Sequence, residues 1–414
     1  MPTPPSAAVR DEPVIRDRGD ACPGALRLHG ADDGYLARVR IPGGLLTAAQ
    51  ASALALASDR FGDGHLGLTS RGNVELRGLA DDCGAGLAEL LDAAGLLPAP
   101  SHERIRNIVA SPFGDPGQVR ALDAALCADP AAAGLSGRFL FAVDDGRGDV
   151  AALDPDVTLL ERPGGRTLIR LGAEPDAVEV ASADAPAAAL EAVHYFLEAV
   201  ADVGTRAWRV AELPPESALL AREFTVRLIA AGVASRFVPE APRPSAPPPA
   251  PGVHGDALCV LVPLGRLTTA QWRELPGAPR TTPWRSIVVT GAGTAGVTGG
   301  AVAPAGLVVD PEDPWRSVTA CTGQPGCVKS LADVRADARA LVALTTGPLP
   351  VHWSGCERRC GHPRGTAWVD LVATAEGYRI GEHHVAAGEL APVLAAARNT
   401  PQVSGSSSEG AVKK

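Results

Sequence analysis

The sequence predicts an α+β protein built from a duplicated unit. Two observations carry this. Strand-like runs alternate with helical ones, which calls for layered helices and sheet. A seven-residue pattern also recurs on either side of a proline-rich break. Gly44-Leu-Leu-Thr-Ala-Ala-Gln50 follows a β-like run at 36–41, and Gly265-Arg-Leu-Thr-Thr-Ala-Gln271 follows one at 258–264. In each, Thr47 or Thr268 stands at a helix N-cap, where its hydroxyl accepts from a free first-turn amide. A helix over 48–61 and a strand over 65–76 follow the first copy; the second is shorter, with a strand over 284–289. Between the copies, residues 241–252 hold six prolines in twelve positions. Proline lacks the N–H and fixes φ, so this stretch predicts an extended linker. Further strands are expected at 138–143 and 167–171. Helices are expected at 184–203, capped by Asp184 with Pro186 in the first turn, at 215–232 and at 328–344.

Composition narrows the function classes. The 414 residues are 46% hydrophobic, which excludes wholesale disorder, and 21% charged with a formal net charge of -9. Without a basic block, neither a nucleic-acid nor a membrane partner is expected. No apolar run approaches the ~18 residues of a membrane span. The opening MPTPPSAAVRDEP lacks the apolar core of a secretory signal. A soluble, cytoplasmic location is the expectation, and there eight cysteines point to metal or redox chemistry rather than disulfides.

Four cysteines form two tight pairs. Cys321 and Cys327 lie in CTGQPGC with five residues between them; Cys356 and Cys360 lie in CERRC with three. Glycine and proline mark both as loops, and a helix from Val328 would turn its positive end toward the first. Zinc favours pairs two to four residues apart, which CERRC fits and CTGQPGC fits poorly. An iron–sulfur cluster needs only flexible, glycine-rich spacing. Iron–sulfur, zinc and unrelated cysteines all stay open on spacing alone. Cys22, Cys83, Cys127 and Cys259 are scattered and read as small buried hydrophobes.

The cysteine pattern resembles the cluster signature of the sulfite and nitrite reductase superfamily. Leu68-Thr-Ser-Arg-Gly-Asn73, Arg104-Ile-Arg-Asn107 with Ser111-Pro112, and Leu135-Ser-Gly-Arg-Phe139 resemble it too. The likeness spans about 22–395. It implies a pseudo-twofold, duplicated architecture of ferredoxin-like half-units and larger α/β units. The boundaries expected are a disordered N-terminus 1–20, half-unit 21–98, α/β domain 99–238, linker 239–252, half-unit 253–312, α/β domain 313–400 with the cysteines, and flexible tail 401–414. It further implies that Cys321, Cys327, Cys356 and Cys360 hold a 4Fe–4S cluster.

Within the superfamily the chain looks most like the precorrin-3B synthase family. The marks are Cys22-Pro-Gly, Asp33-Gly-Tyr-Leu-Ala-Arg38, Thr69 to Asn73 with Leu76-Arg77-Gly78, Thr282-Pro-Trp-Arg285, and Gly355-Cys356 through Cys360-Gly-His-Pro363. That resemblance implies O2-dependent hydroxylation and γ-lactone formation on precorrin-3A in aerobic cobalamin synthesis. It also implies an external electron donor and a mononuclear non-haem iron. The alternatives are a sirohaem-dependent sulfite or nitrite reductase and a non-catalytic, metal-bound tetrapyrrole carrier. Such reductases carry cations at two alternating positions where this chain has Arg138 and Leu140, which disfavours a small oxyanion. Arg359 stands where relatives carry glycine, so a positive φ there would be strained.

A precorrin is a polyanion, and guanidinium forks pair carboxylates bidentately. Arg71, Asn73, Arg77, Arg104, Arg106, Arg138 and Arg285 are therefore the candidate substrate-binding residues, with Arg71 and Arg106 expected in one cleft. Gly291-Ala-Gly-Thr-Ala-Gly296 fits a dinucleotide fingerprint and follows a strand, but no helix pattern follows it, so it reads as a connecting loop. His352 and His362 flank the cysteines and are candidates for supporting or iron-binding roles. Of His383 and His384, at most one can face a site on a strand.

Overall fold

A computed structural model of the chain describes residues 20, 22–290, 304–363 and 367–400. The glycine loop at 291–296, most of the N-terminal stretch and the tail from 401 lie outside the described residues. The chain divides into two compact units, Met1–Pro311 and Glu312–Lys414.

The first unit opens with β1 (His29–Ala31), β2 (Gly34–Val39), α1 (Ala48–Phe61), β3 (His65–Leu68), β4 (Val74–Leu79) and α2 (Gly84–Ala93). An α/β portion follows: β5 (Ile108–Ala110), α3 (Pro116–Ala128), β6 (Phe141–Asp144), β7 (Val157–Arg162), β8 (Arg166–Leu171), β9 (Ala177–Ala181), α4 (Ala185–Val203), α5 (Ala221–Ala230) and β10 (Ser235–Val238). The chain then makes β11 (Gly252–His254), β12 (Ala257–Leu261), β13 (Arg266–Thr268), α6 (Thr269–Glu274), β14 (Pro279–Thr281) and β15 (Ser286–Thr290). Three sheets result, in the orders β1-β2-β4-β3-β13, β10-β9-β8-β7-β6-β5 and β11-β12-β15-β14.

The repeat is longer in structure than the seven-residue pattern. Ile41-Pro42-Gly43-Gly44 and Val262-Pro263-Leu264-Gly265 make the same turn, with φ of 58° and 71° at Gly43 and Gly44, and 55° and 68° at Leu264 and Gly265. A side chain at Gly44 would put its Cβ 1.8 Å from the Thr281 carbonyl oxygen, so only glycine fits there. Thr47 and Thr268 cap α1 and α6, and Gln50 and Gln271 return the bond to each cap's own amide. The halves also exchange strands. Arg266 of β13 pairs with Gly67 of β3, and Leu45 bridges Arg280 of β14. One core joins both halves: Leu54, Leu66, Val74 and Leu76 pack in the same cluster as Val260, Trp272 and Ile287.

Several expectations shift. Residues 65–76 form a hairpin rather than one strand. Thr69 turns the chain: its hydroxyl accepts from the Arg71 and Asn73 amides, and Gly72 takes φ of 68°. Asp184 caps no amide with its side chain, and α5 starts only at Ala221, after a short turn at Pro215–Ser217 and an extended Leu220. Asp20, expected to be loose, is anchored, its carboxylate accepting from the amides of Cys22 and Gly137. The proline-rich segment is laid along the α/β portion, where the Arg170 guanidinium donates to the Ala241 and Pro242 carbonyls.

The second unit contains β16 (Val318–Ala320), α7 (Val334–Leu341), β17 (Val351–Ser354), β18 (Val369–Thr374), β19 (Gly377–Ile380), β20 (His383–Ala386) and α8 (Leu390–Asn399). Its sheet runs in the order β16-β17-β18-β19-β20, with two parallel pairings and then two antiparallel ones. The series β5-β6-β7-β8-β9 has the same pairing pattern. Arg398 of α8 is fully buried and donates to the carbonyls of Thr345, Gly347 and Leu349 and to the Ser317 hydroxyl, tying α8 to the loops around it. His383 and His384 are both exposed.

Candidate functional site

Each unit contributes a candidate site. In the second, the two cysteine loops leave the ends of adjacent parallel strands. CTGQPGC follows β16 and CERRC follows β17, so strand register brings the loops side by side. The helix expected from Val328 starts instead at Val334, capped by the Asp333 carboxylate. The helix cap therefore lies six residues beyond Cys327, and loop amides meet the sulfur of Cys321. The Gly355 amide donates to Cys321 Sγ at 3.2 Å. Burial pushes the Cys321 thiol up, the Gly355 and Gly323 amides pull it down, and Cys360 and Cys356 push it up again. Cys321 thus feels both cysteines of the second loop. Cys321, Cys327 and Cys356 are half-buried and Cys360 is exposed.

The backbone admits these loops only with small residues. A Cβ on Gly355 would lie 1.9 Å from Ser330 Oγ, and one on Gly323 2.8 Å from a Val334 methyl. Arg359, which was expected to be strained, does take φ of 48°. Its side chain is held by Asp370, Nε to Oδ2 at 2.6 Å, and by Glu357 at 2.7 Å, and Glu357 in turn pairs with Arg379. This network offsets the left-handed strain. Buried His352 lies between Thr319 Oγ1 at 2.8 Å and the Cys360 carbonyl at 3.1 Å, and His362 stacks on Trp368.

Four cysteines on two adjacent loops, one of them receiving a backbone amide, are a donor set that a 4Fe–4S cluster can use. A four-thiolate zinc site at ~2.3 Å per bond draws its sulfurs to within about 4 Å of one another. Among the described residues, no three cysteine sulfurs lie within 4.8 Å of one another. An amide donor to Cys321 Sγ suits a cluster whose iron offsets the thiolate charge.

Sequence reasoning missed the counterpart of this cradle in the first unit. Ser111 follows β5 as Cys321 follows β16. The Asp145 amide donates to Ser111 Oγ at 3.2 Å, as the Gly355 amide does to Cys321 Sγ. Asp144, Asp145 and Asp149 surround it. Their oxygens are engaged by the amides of Gly146, Gly148, Val150 and Ala151, by Ser111 and by Arg147, so the acids knit the loop together. Only the sheet pairing, not sequence spacing, reveals this equivalence.

The first unit's candidate site gathers arginines around the segment 137–140. Arg71 donates from Nη1 to the Gly137 carbonyl at 3.1 Å and from Nη2 to the Arg138 carbonyl at 2.7 Å. Burial, with Arg209 nearby, pushes its pKa down to about 10. Neutral carbonyls orient this guanidinium without neutralising it. Arg138 is exposed and lies over the Trp208 ring at 4.8 Å. Arg104 is half-exposed and 3.9 Å from the Asp20 carboxylate. Arg285 has φ of 60°, and burial lowers its pKa. Leu140 is buried in an apolar cluster with Val109, Ala142 and Val150, against Trp284.

Three candidates already have partners within the protein. Arg106 forms a two-pronged pair with Asp123, at 2.7 and 2.6 Å, and donates to the Leu96 carbonyl. Its fork is already filled, unlike that of Arg71, which meets neutral carbonyls. Arg77 is likewise spent on Asp33, at 2.9 and 2.8 Å. Asn73 is buried, bonding Asn107 and the Ile41 amide. Burial with a matched partner is what sequence spacing could not display.

Residues 28–94 match the family model described as nitrite/sulfite reductase ferredoxin-like half domain. A precorrin-3B synthase from a Sinorhizobium species is 29% identical over 397 residues, covering 88% of this chain and 83% of that protein. A ferredoxin–nitrite reductase from Synechococcus elongatus is 28% identical over 388 residues, covering 80% and 74%. The solved structure of the Mycobacterium tuberculosis NirA protein has the same fold, with a TM-score of 0.64 at 20% identity, covering 84% of this chain and 73% of that one.

Proposed function

Taking the sulfite and nitrite reductase superfamily, which these likenesses support, as the premise, we propose that the chain is a precorrin-3B synthase. It hydroxylates precorrin-3A with O2 and closes a γ-lactone, drawing electrons from an external donor. The observation that carries the choice within the superfamily is Leu140. Where a reductase of small oxyanions needs a second cation, this side chain is buried among Val109, Ala142 and Val150. A hydrated anion gains nothing there, while an uncharged reactant such as O2 loses little on entry.

Cys321, Cys327, Cys356 and Cys360 hold the 4Fe–4S cluster, which when bound supplies one-electron transfer. The Gly355 amide orients Cys321, and Arg359, fixed by Asp370, shapes the loop that presents Cys360. Arg71, Arg104, Arg138 and Arg285 face the carboxylate arms, and the guanidinium of Arg71 is already aimed by two carbonyls, so binding costs it little ordering.

Turnover of precorrin-3A under 18O2 tests the reaction: one labelled oxygen in the product is expected, and an unlabelled product overturns it. Arg71→Ala is expected to weaken binding of a porphyrin polycarboxylate by roughly 1.5–3 kcal/mol, the range for a hydrogen bond to a charged partner. Arg71→Lys should recover part of that, since an ammonium cannot reproduce the fork. Unchanged affinity in Arg71→Ala would remove Arg71 from the site.

A further inference from the structure

We infer that Trp284 is a specificity-determining residue whose indole forms the apolar wall of the macrocycle site, beside the cationic edge formed by Arg71. The inference rests on the tetrapyrrole reading above.

The turn at 69–73 and the turn at 282–286 are pseudo-equivalent. The Thr69 hydroxyl accepts from the Arg71 and Asn73 amides, and the Thr282 hydroxyl accepts from the Trp284 and Ser286 amides. The Gly72 amide donates to the Thr69 carbonyl, and the Arg285 amide to the Thr282 carbonyl. Gly72 and Arg285 both have positive φ, 68° and 60°. Trp284 therefore occupies in the second half-unit the position that Arg71 occupies in the first.

Arg71 and Trp284 both lie against groups that include part of the chain near 137–142. Arg71 bonds the carbonyls of Gly137 and Arg138, while Trp284 packs on the apolar cluster that contains Leu140. The carbonyls at 137 and 138 thus meet a guanidinium, while the apolar cluster that includes Leu140 meets an indole. Trp284 is only half-buried, and its indole N–H has no hydrogen-bond partner among the described residues. A tryptophan held in this way presents an apolar ring with a free donor at its edge. A precorrin is complementary to that arrangement: its macrocycle has apolar faces and its rim bears carboxylates. Two cations at equivalent turns would suit a small oxyanion; one cation and one indole suit a ring with acidic arms.

The test is titration of uroporphyrin, a stable tetrapyrrole polycarboxylate, into the full chain at low and high salt, read by porphyrin fluorescence. Trp284→Ala is expected to weaken binding about tenfold, as for the loss of an aromatic contact with its buried area. The loss should be the same at both salt concentrations, whereas the Arg71→Ala deficit should shrink at high salt because charge pairing is screened. Trp284→Phe should stay close to wild type. Should Trp284→Ala fail to fold, Trp284→Leu has the same expectation. Wild-type affinity in the Trp284 variant, or a deficit that disappears at high salt, overturns the inference alone. A wild-type chain that binds no uroporphyrin overturns the tetrapyrrole reading itself.

Discussion

Single replacement of Cys321, Cys327, Cys356 or Cys360 by serine is expected to abolish cluster binding and activity together. A serine hydroxyl stays protonated at neutral pH and is a poor partner for iron, so three thiolates would be left to hold a group that needs four. The Gly355 amide, which donates to Cys321 Sγ at 3.2 Å, would lose its sulfur acceptor in the Cys321 variant. Cys83 and Cys127 provide the control. Burial raises both thiols, and Cys127 lies beside Asp123 and Arg106, so serine there should leave iron content unchanged. Iron analysis of anaerobically purified variants decides the matter. Full iron in all four ligand variants would remove the cysteines from the site.

Arg106→Ala is expected to act on stability rather than on binding. Burial works against the charge of Arg106, and its paired hydrogen bonds to Asp123 hold its pKa above the ordinary value. Deleting one partner of such a pair strands the other. The cost should be about 3 kcal/mol, the lower end for a buried pair, because the Asp123 side chain retains 20% exposure. Denaturant unfolding should show the loss, while uroporphyrin affinity of the folded variant stays at the wild-type level. A stable variant with weakened tetrapyrrole binding would return Arg106 to the ligand site.

Local signals carried much of the fold. The threonine caps, the span of α1 and the strand at 166–171 follow from patterns of a few residues, because capping and periodicity are set within one or two turns. The duplication was readable from seven residues, although its full extent needed the matching positive-φ turns and the exchanged strands. Long-range pairing was not readable. The 65–76 run hides a turn, since Thr69 and Gly72 act through bonds that spacing does not reveal. Arg71 and Arg106 look alike as motif residues, yet one meets neutral carbonyls and the other a carboxylate seventeen positions away. The helix expected beside Cys327 failed because Asp333 offers a better cap six residues later.

The most direct measurement is the visible spectrum of the full chain, purified anaerobically and paired with an iron count. A 4Fe–4S protein without haem should show broad absorption in the blue, about four irons per chain in the cluster and no sharp macrocycle bands. Strong sirohaem bands would contradict the proposed oxygenase in favour of an oxyanion reductase, and a colourless, iron-free chain would contradict the cluster itself.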